Sequence, residues 1–330
     1  MSDDLTRDNL HLSRPTMVDE GTRFAAGEIN FTSASSLTVA DYVRESLAEN
    51  TRTAYLSDLE HFERWGGQIP ATPEMIAAYL AAHAAVHTVA TLNRRLAALA
   101  KVHRSHGFSN PTSVEVVKAT LRGLKRIKGT AQRQAVPLVK DDLFIVLEAM
   151  GSRLKDLRDR ALLLVGFAGG FRRSELVGLN CEDLVLVRHG LEIALRRSKT
   201  DQNGAGRKVG VPHGRGRWCP VVALEQWRVA SGVTEGAIFR PVDRHDRVGQ
   251  QRLSAEAVCL VVRERVQAAG IEPKDYSGHS LRAGLATSAA QAGVSPWKIR
   301  QQTGHASDAM LGRYIRDGEL FIGNAAGALL

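Results

Sequence analysis

Residues 278–318 read GHSLRAGLATSAAQAGVSPWKIRQQTGHASDAMLGRYIRDG. This stretch holds two Gly-His pairs, an arginine three residues after the first histidine, and a single tyrosine nine residues after the second. His279 and Arg282, at i and i+3, share one face of a helix. A guanidinium is a permanently charged planar fork that fits a phosphate, and an imidazole trades protons near neutral pH. A phenol becomes a nucleophile once its proton, with a pKa of about 10, is removed. Together these groups suit a site that grips a phosphate and attacks it. Singly they say little: an H-x-x-R pair arises by chance on helix surfaces, and a lone tyrosine such as Tyr314 is more often a core residue.

Two further features carry chemistry. In FAGGFRRSELVGL, residues 167–179, apolar residues and a Gly-Gly pair lead into Arg172. A helix is expected to start there, with Ser174 and Glu175 in its first turn and Leu176 and Leu179 facing inward. Glu175 either braces Arg172 or a neighbour, or serves only the helix start, where carboxylates are favoured by the dipole. In RRSKTDQNG, Lys199 lies just before Asn203-Gly204, a favoured hairpin turn.

The rest of the chain must position these groups. Its 330 residues suffice for two domains, and 44% hydrophobic residues suffice for a proper core. Forty-four basic residues against thirty-five acidic ones leave a formal charge of +9. Residues 1–35 hold three arginines against six acids, so the positive excess belongs to the remainder. A basic chain of this kind points to a polyanionic partner, nucleic acid before membrane. Cys181, Cys219 and Cys259 are far apart and form no C-x-x-C pair, which argues against a disulfide framework or a zinc site and fits a reducing cytoplasm. No apolar run approaches the ~20 residues of a membrane span. The acidic N-terminus does not resemble a signal peptide.

Along the chain, residues 1–35 lack periodicity and are expected to be flexible. Residues 36–127 are patterned as helices, beginning with 37–49 and followed by 50–67, for which Asn50 or Thr51 is the expected cap. In the helix from Thr88, Leu92, Leu96, Leu99 and Val102 form an apolar stripe, leaving Arg94, Arg95, Lys101, His103 and Arg104 on the other faces. The next helix places Lys118, Arg122, Lys125, Arg126 and Lys128 off its apolar side. Two such basic faces in one small bundle suggest a surface that follows DNA phosphates. Residues 128–137 read as a linker. Helices resume at 139–151 and 154–170, the second apolar enough to be buried. A β-hairpin is expected over 191–211, where Leu191, Ile193 and Leu195 alternate, as do Val209 and Val211. Helices then run from 220, from 254 and onward to the end, and Trp297 is expected in the core.

Taken in order, an arginine in a G-x-R-x-SEL-like box, a hairpin lysine, H-x-x-R, Gly-His and tyrosine resemble the tyrosine recombinase (phage integrase) family, from about residue 36 to the end. SGHSLRAG, AGVSPWKIRQQTGH and YIRDGE look most like its Cre-type branch, although Cre-type enzymes can carry tryptophan where this chain has His305. The resemblance implies a mainly α, two-domain fold. A helical DNA-clamping, core-binding bundle (36–127) would be joined by the linker to a mixed α/β catalytic domain (138–330) with a small β-hairpin sheet and a C-terminal tail helix. It implies a site-specific DNA recombinase. Tyr314 would be the nucleophile, forming a 3′-phosphotyrosyl ester, while Arg172 and Arg282 hold the non-bridging oxygens. His279 and His305 would bond the phosphate, with His279 taking the tyrosine proton. Lys199 would be the general acid and Glu175 the brace. No metal, ATP or other cofactor is implied. The implied partners are double-stranded DNA with inverted-repeat sites and a homotetramer on two such sites, residues 319–330 packing in trans, with no membrane and a cytoplasmic, nucleoid-associated location. A type IB topoisomerase or telomere resolvase shares this chemistry, and a non-catalytic DNA-binding protein is the third reading.

Overall fold

The computed structural model describes residues 46–130, 134–196 and 206–305, together with Ser307, Leu311, Gly312 and Tyr314. The helix expected over 37–49, the hairpin tip with Lys199, and the tail at 319–330 lie largely or wholly outside the described residues. The chain divides into two compact units, residues 1–132 and 133–330.

The first unit is helical: α1 (Glu49–Arg64), α2 (Pro73–Ala82), α3 (Val89–Ser105), a 3-10 turn (Pro111–Ser113) and α4 (Glu115–Lys128). The starts of α2 and α3 are set by Thr72 and Thr88, whose hydroxyls accept from the amides of Met75 and Thr91 at 3.2 Å, as N-caps do. The start of α1 differs from expectation. The amides of Thr51 and Arg52 both donate to the Ala48 carbonyl, so the first turn closes before Asn50 or Thr51 can cap it. Phe62, Ile76, Tyr79, Leu80, Leu92, Leu96, Leu99 and Val117 form the core.

Two residues expected on the basic face of α3 are instead buried. Arg95 is 6% exposed and His103 is fully buried. The reason is a polar network inside the bundle. Asp58, 3% exposed, accepts from both Nε and Nη2 of Arg94 at 2.8 Å and lies 3.6 Å from Nε of Arg95. Arg95 also donates to the Tyr79 hydroxyl at 3.0 Å. His103 donates from Nδ1 to the Leu99 carbonyl at 2.7 Å and accepts the Ala71 amide at Nε2 at 2.8 Å. These side chains satisfy buried partners, as buried polar groups must.

In the second unit the chain enters bonded rather than free: the amides of Val136 and Leu138 donate to the carbonyls of Asp275 and Ser280 at 3.0 and 2.9 Å. It continues through α5 (Lys140–Glu148), α6 (Leu154–Gly169), α7 (Arg173–Gly178) and a 3-10 turn (Cys181–Asp183). The sheet comprises β1 (Leu184–Val187), β2 (Gly190–Leu195) and β3 (Arg207–Pro212), followed by α8 (Pro220–Ser231), α9 (Ala255–Ala268), α10 (His279–Gln291) and α11 (Pro296–Thr303). The three strands are antiparallel in the order β1-β2-β3, with Ile193 opposite Val209 and Leu191 opposite Val211. The core centres on α6, with Leu162, Leu163 and Val165 packed among Phe171, Leu176, Ile193, Val209, Val211, Trp227 and Leu281. Each such side chain contributes about 1.5–3 kcal/mol relative to an exposed one. Strand β1 was not anticipated, and Trp297 is 66% exposed rather than in the core. Among the described residues no helix is long and apolar enough to cross a membrane.

Candidate active site

Four helix ends meet at the site: the carboxyl ends of α6 and α11 and the amino ends of α7 and α10. Helix α6 stops at Gly170, and α11 stops at Gly304. Both glycines are left-handed, with φ of 59° and 66°, a conformation that costs other residues energy. Each turns a carbonyl toward an arginine from elsewhere in the chain. Gly170 O accepts from Nη1 of Arg282 at 2.8 Å, and Gly304 O accepts from Nη2 of Arg172 at 3.1 Å.

Arg172 is the N-cap residue of α7. Glu175, three residues on, accepts its backbone amide at 2.9 Å and its Nη1 at 2.5 Å. The carboxylate closes the helix start and orients the guanidinium at once. The Glu175 residue is 6% exposed, so this carboxylate is buried against the guanidinium it holds. Arg282, on the first turn of α10, is 1% exposed. Its Nη1 also reaches the Thr303 carbonyl, while its Nη2 is buried without a hydrogen-bond partner.

A third guanidinium joins them. Arg207, the first residue of β3, donates from Nη1 to the Gln302 carbonyl at 3.0 Å and from Nη2 to the Thr303 carbonyl at 3.4 Å. Arg172, Arg207 and Arg282 therefore share the last carbonyls of α11 and its cap, where the helix dipole favours cations.

His279 is the first residue of α10, and its Nε2 lies 2.6 Å from the Tyr314 hydroxyl. The tyrosine ring packs beside a small cluster of Ala286, Ala290, Ile299 and Leu311. His305, 5% exposed, sits with its ring centroid 5.7 Å from that of Tyr314. Its Nδ1 is 2.7 Å from Thr303 Oγ1, which itself donates to the Ile299 carbonyl at 2.7 Å. Because the hydroxyl proton is used on Ile299, Thr303 accepts from Nδ1–H of His305. The neutral ring thus keeps its lone pair on Nε2.

The electrostatics follow from burial among cations. Desolvation first, then Arg282 and Arg172, push His279 below its ordinary 6.5, although one edge of the residue stays open to solvent. His305 is pushed down to about 3 by burial and then by the same arginines. Arg282 is lowered to about 10 by burial and by Arg172, so it remains charged at neutral pH. Both histidines are thus biased toward their neutral forms, and Nε2 of His279 faces a phenol.

Of the seven candidates, Arg172, Glu175, His279, Arg282, His305 and Tyr314 come together, and Lys199 lies outside the described residues. Arg207, Thr303 and the glycine carbonyls were not among the candidates. Among the described residues, no group of three or more His, Cys, Asp or Glu side chains converges to hold a metal ion.

Comparison with known proteins places the chain in a family. Residues 138–319 match the family described as "Phage integrase family", and residues 34–105 match "Phage integrase, N-terminal SAM-like domain". The chain is 37% identical over 300 residues to an integrase/recombinase XerD homolog of Selenomonas ruminantium, covering 88% of each chain. It is 25% identical over 299 residues to the Cre recombinase of Escherichia phage P1, covering 83% of this chain and 86% of that one. Identity is thus higher to the XerD homolog than to Cre. A lambda integrase fragment, solved as a dimer bound to a COC′ core site, shares the fold with a TM-score of 0.62 at 20% identity, over 84% of this chain and 92% of that one.

Proposed function

We propose, from the premise that the chain belongs to the phage integrase family and is a tyrosine-type site-specific DNA recombinase, that Tyr314 cuts and rejoins DNA through a covalent 3′-phosphotyrosyl ester. The Tyr314 oxygen attacks the scissile phosphorus as its proton passes to Nε2 of His279. The bond from phosphorus to the 5′-oxygen breaks, and the departing oxygen takes a proton from Lys199. A 5′-hydroxyl of a partner strand then reverses the step. The ester's free energy is retained throughout, so no ATP enters the balance.

The 2.6 Å contact between His279 and Tyr314 carries this reading. General-base help of this kind contributes about 10²–10⁴-fold. Arg172 and Arg282 hold the non-bridging oxygens, and the buried, unpartnered Nη2 of Arg282 is a donor that such an oxygen would satisfy. Removing one preorganised donor of this type costs about 10²–10³ in rate. His305 accepts at Nε2 while neutral. An anion in the pocket offsets the guanidiniums, raises the affinity of the ring for a proton, and lets Nε2 donate to the phosphate. Glu175 holds Arg172 in register.

The substrate is double-stranded DNA carrying inverted-repeat sites, two of which are joined by a homotetramer. In this reading residues 36–127 are the DNA clamp and 138–330 the catalytic part, and the exposed cations of α4 support the first assignment. The deciding experiment incubates the chain with DNA flanking its gene and runs denaturing gels. A protein–DNA adduct that vanishes in Tyr314→Phe is expected. Site-independent relaxation of any supercoiled plasmid would favour a topoisomerase instead, and no adduct on any DNA would favour a non-catalytic binding protein.

A further inference from the structure

Arg207 stands on the inward side of β3. Residues 207, 209 and 211 share one face of the strand, and Val209 and Val211 are core residues at 2% and 1% exposure. A charged residue on a core face is unusual and calls for partners. Those it has all belong to the site. Its Nη1 and Nη2 hold the carbonyls of Gln302 and Thr303, and Nη2 lies 3.9 Å from Oε2 of Glu175. Its Nε is buried without a partner.

The clasp is reciprocal. Gln302 reaches back from α11, its Nε2 donating to the carbonyls of Gly210 in β3 and Ala168 in α6 at 2.9 and 2.8 Å. The guanidinium lies close against Gly304, where an added Cβ would stand 3.0 Å from both Cζ and Nε of Arg207. Two residues beyond the Thr303 carbonyl that Arg207 grips, the chain presents His305.

Charge accounting gives this position a second consequence. Arg172, Arg207 and Arg282 share one carboxylate, Glu175, leaving an excess of two positive charges. A phosphodiester carries one negative charge on its non-bridging oxygens, and the pentacoordinate state reached on attack carries two. Lys199 and the proton passed to His279 add further positive charge, so Arg207 is one of several cations whose attraction grows as the phosphate goes from one negative charge to two, which is where interaction energy accelerates a reaction.

We infer that Arg207 is a positioning residue of the strand-transfer site, clasping β3 to the end of α11 that presents His305 and adding positive charge that weighs more on the doubly charged transition state than on the bound DNA. This rests on the functional reading above. It differs from a purely architectural role in one respect: the chemical step depends on the charge at 207, and DNA binding does not.

The test uses the full chain as wild type, Arg207→Gln, Arg207→Lys and Tyr314→Phe. The probe is a nicked duplex recovered from a randomised pool by covalent capture on the wild-type chain. In R207Q, single-turnover cleavage should slow by ~100-fold while duplex affinity stays within ~2-fold. In R207K, which keeps the charge and one carbonyl bond but not the fork, it should slow by only ~5-fold. If R207Q does not fold, the R207K result alone decides: a wild-type rate, or a loss of rate and affinity together, overturns the inference. Equal rates in R207Q and R207K also overturn it, because a packing role cannot tell a cation from an amide. A wild-type chain that captures no DNA sinks the functional reading instead. Arg207 is then judged by inorganic sulfate titrated against the His279 ring resonance. Affinity ~10-fold weaker in R207Q supports it, and equal affinity overturns it.

Discussion

The Tyr314 hydroxyl and Nε2 of His279 stand 2.6 Å apart although thirty-five residues of chain separate them. His279 opens α10, and Tyr314 is carried in from beyond α11 against Ala286, Ala290, Ile299 and Leu311. The alanines leave room for a ring to lie beside α10, so the phenol meets the imidazole at the helix start, with Arg282 one turn further in. The proposed base and anion-holding arginine thus share the first turn of one helix, and the proposed nucleophile is brought to it from beyond α11.

His279 must be neutral to take the phenol proton, and its pKa lies below 6.5 because of burial and the Arg282 and Arg172 charges. The cleavage rate should therefore be level through neutral pH and fall on the acid side with an apparent pKa below 6.5. His279→Gln should slow cleavage by about 100-fold and abolish that acid limb, and Tyr314→Phe should give no adduct at any pH. Single-turnover rates across pH 5 to 8 check both, and an unchanged acid limb in H279Q rejects the base assignment.

Thr303 sets the tautomer of His305 by giving its proton to Ile299 and taking one from Nδ1. Nitrogen NMR at pH 7 should show Nδ1 protonated and Nε2 bare. Thr303→Val removes the acceptor and should shift the population toward the Nε2–H form, at a stability cost of about 1 kcal/mol. A wild-type ring already protonated on Nε2 contradicts the hydrogen-bond chain.

Much of the site could be read in the sequence because its residue types are rare in combination. Arg172 with Glu175, His279 with Arg282, and Tyr314 each say little alone, and it is their order along the chain, shared with a known family, that joins them. Arg207 was readable in principle, since strand parity puts it on the same face as Val209 and Val211, yet a basic residue near a hairpin tip passes easily for a solvated one. Arg95 and His103 read as solvent-facing in the sequence because their partners, Asp58 and Ala71, lie more than thirty residues away. Periodicity shows the apolar stripe but not a polar network beside it. Strand β1 escaped because LVLV has no polar alternation, Val185 and Leu186 being exposed apolar residues. Gly284 follows the H-x-x-R pair for a steric reason invisible in sequence: an added Cβ would lie 1.8 Å from the Leu138 carbonyl oxygen.

That contact gives a prediction. Gly284→Ala drives a methyl into backbone that is itself bonded to Ser280, so the chain entering the second unit must detach. Overpacking of this kind costs about 1–3 kcal/mol, with more where backbone must move. A urea melt should show loss of stability and cleavage together, and a fully stable variant would mean that the approach is looser than described.

In the first unit, Asp58 is buried between Arg94 and Arg95. Asp58→Ala leaves Arg95 buried beside Tyr79 without a counter-charge and should cost about 3–5 kcal/mol. Denaturant unfolding of the full chain should show an early transition that is absent from wild type.

Contact with DNA should instead fall to the exposed cations of α4. Lys118, Lys125 and Arg126 are open to solvent, whereas Lys128 is engaged with the carbonyls of Ala84 and His87. Replacing one of the first three by alanine should weaken binding to all duplexes alike and reduce the salt slope by about 1. Lys128→Ala should leave the slope unchanged. Binding isotherms at several salt concentrations separate these cases.

His305 links the site to the stability of the whole second unit. Its folded pKa is about 3, against an ordinary value of about 6.5 in the unfolded chain. Above pH 6.5 neither state carries the proton and the residue has no effect. As pH falls from 6.5 toward 3, the unfolded chain takes up a proton that the folded one refuses, so stability must drop. At pH 5 the loss is about 2 kcal/mol from this ring alone, equivalent to ~5 °C in the midpoint of a unit of this size. His279, lowered in the same direction but partly open to solvent, adds less. Thermal melts at pH 7 and pH 5 should show this fall in wild type and a shallower one in His305→Gln. A slope that persists undiminished in H305Q would assign the acid sensitivity to other groups.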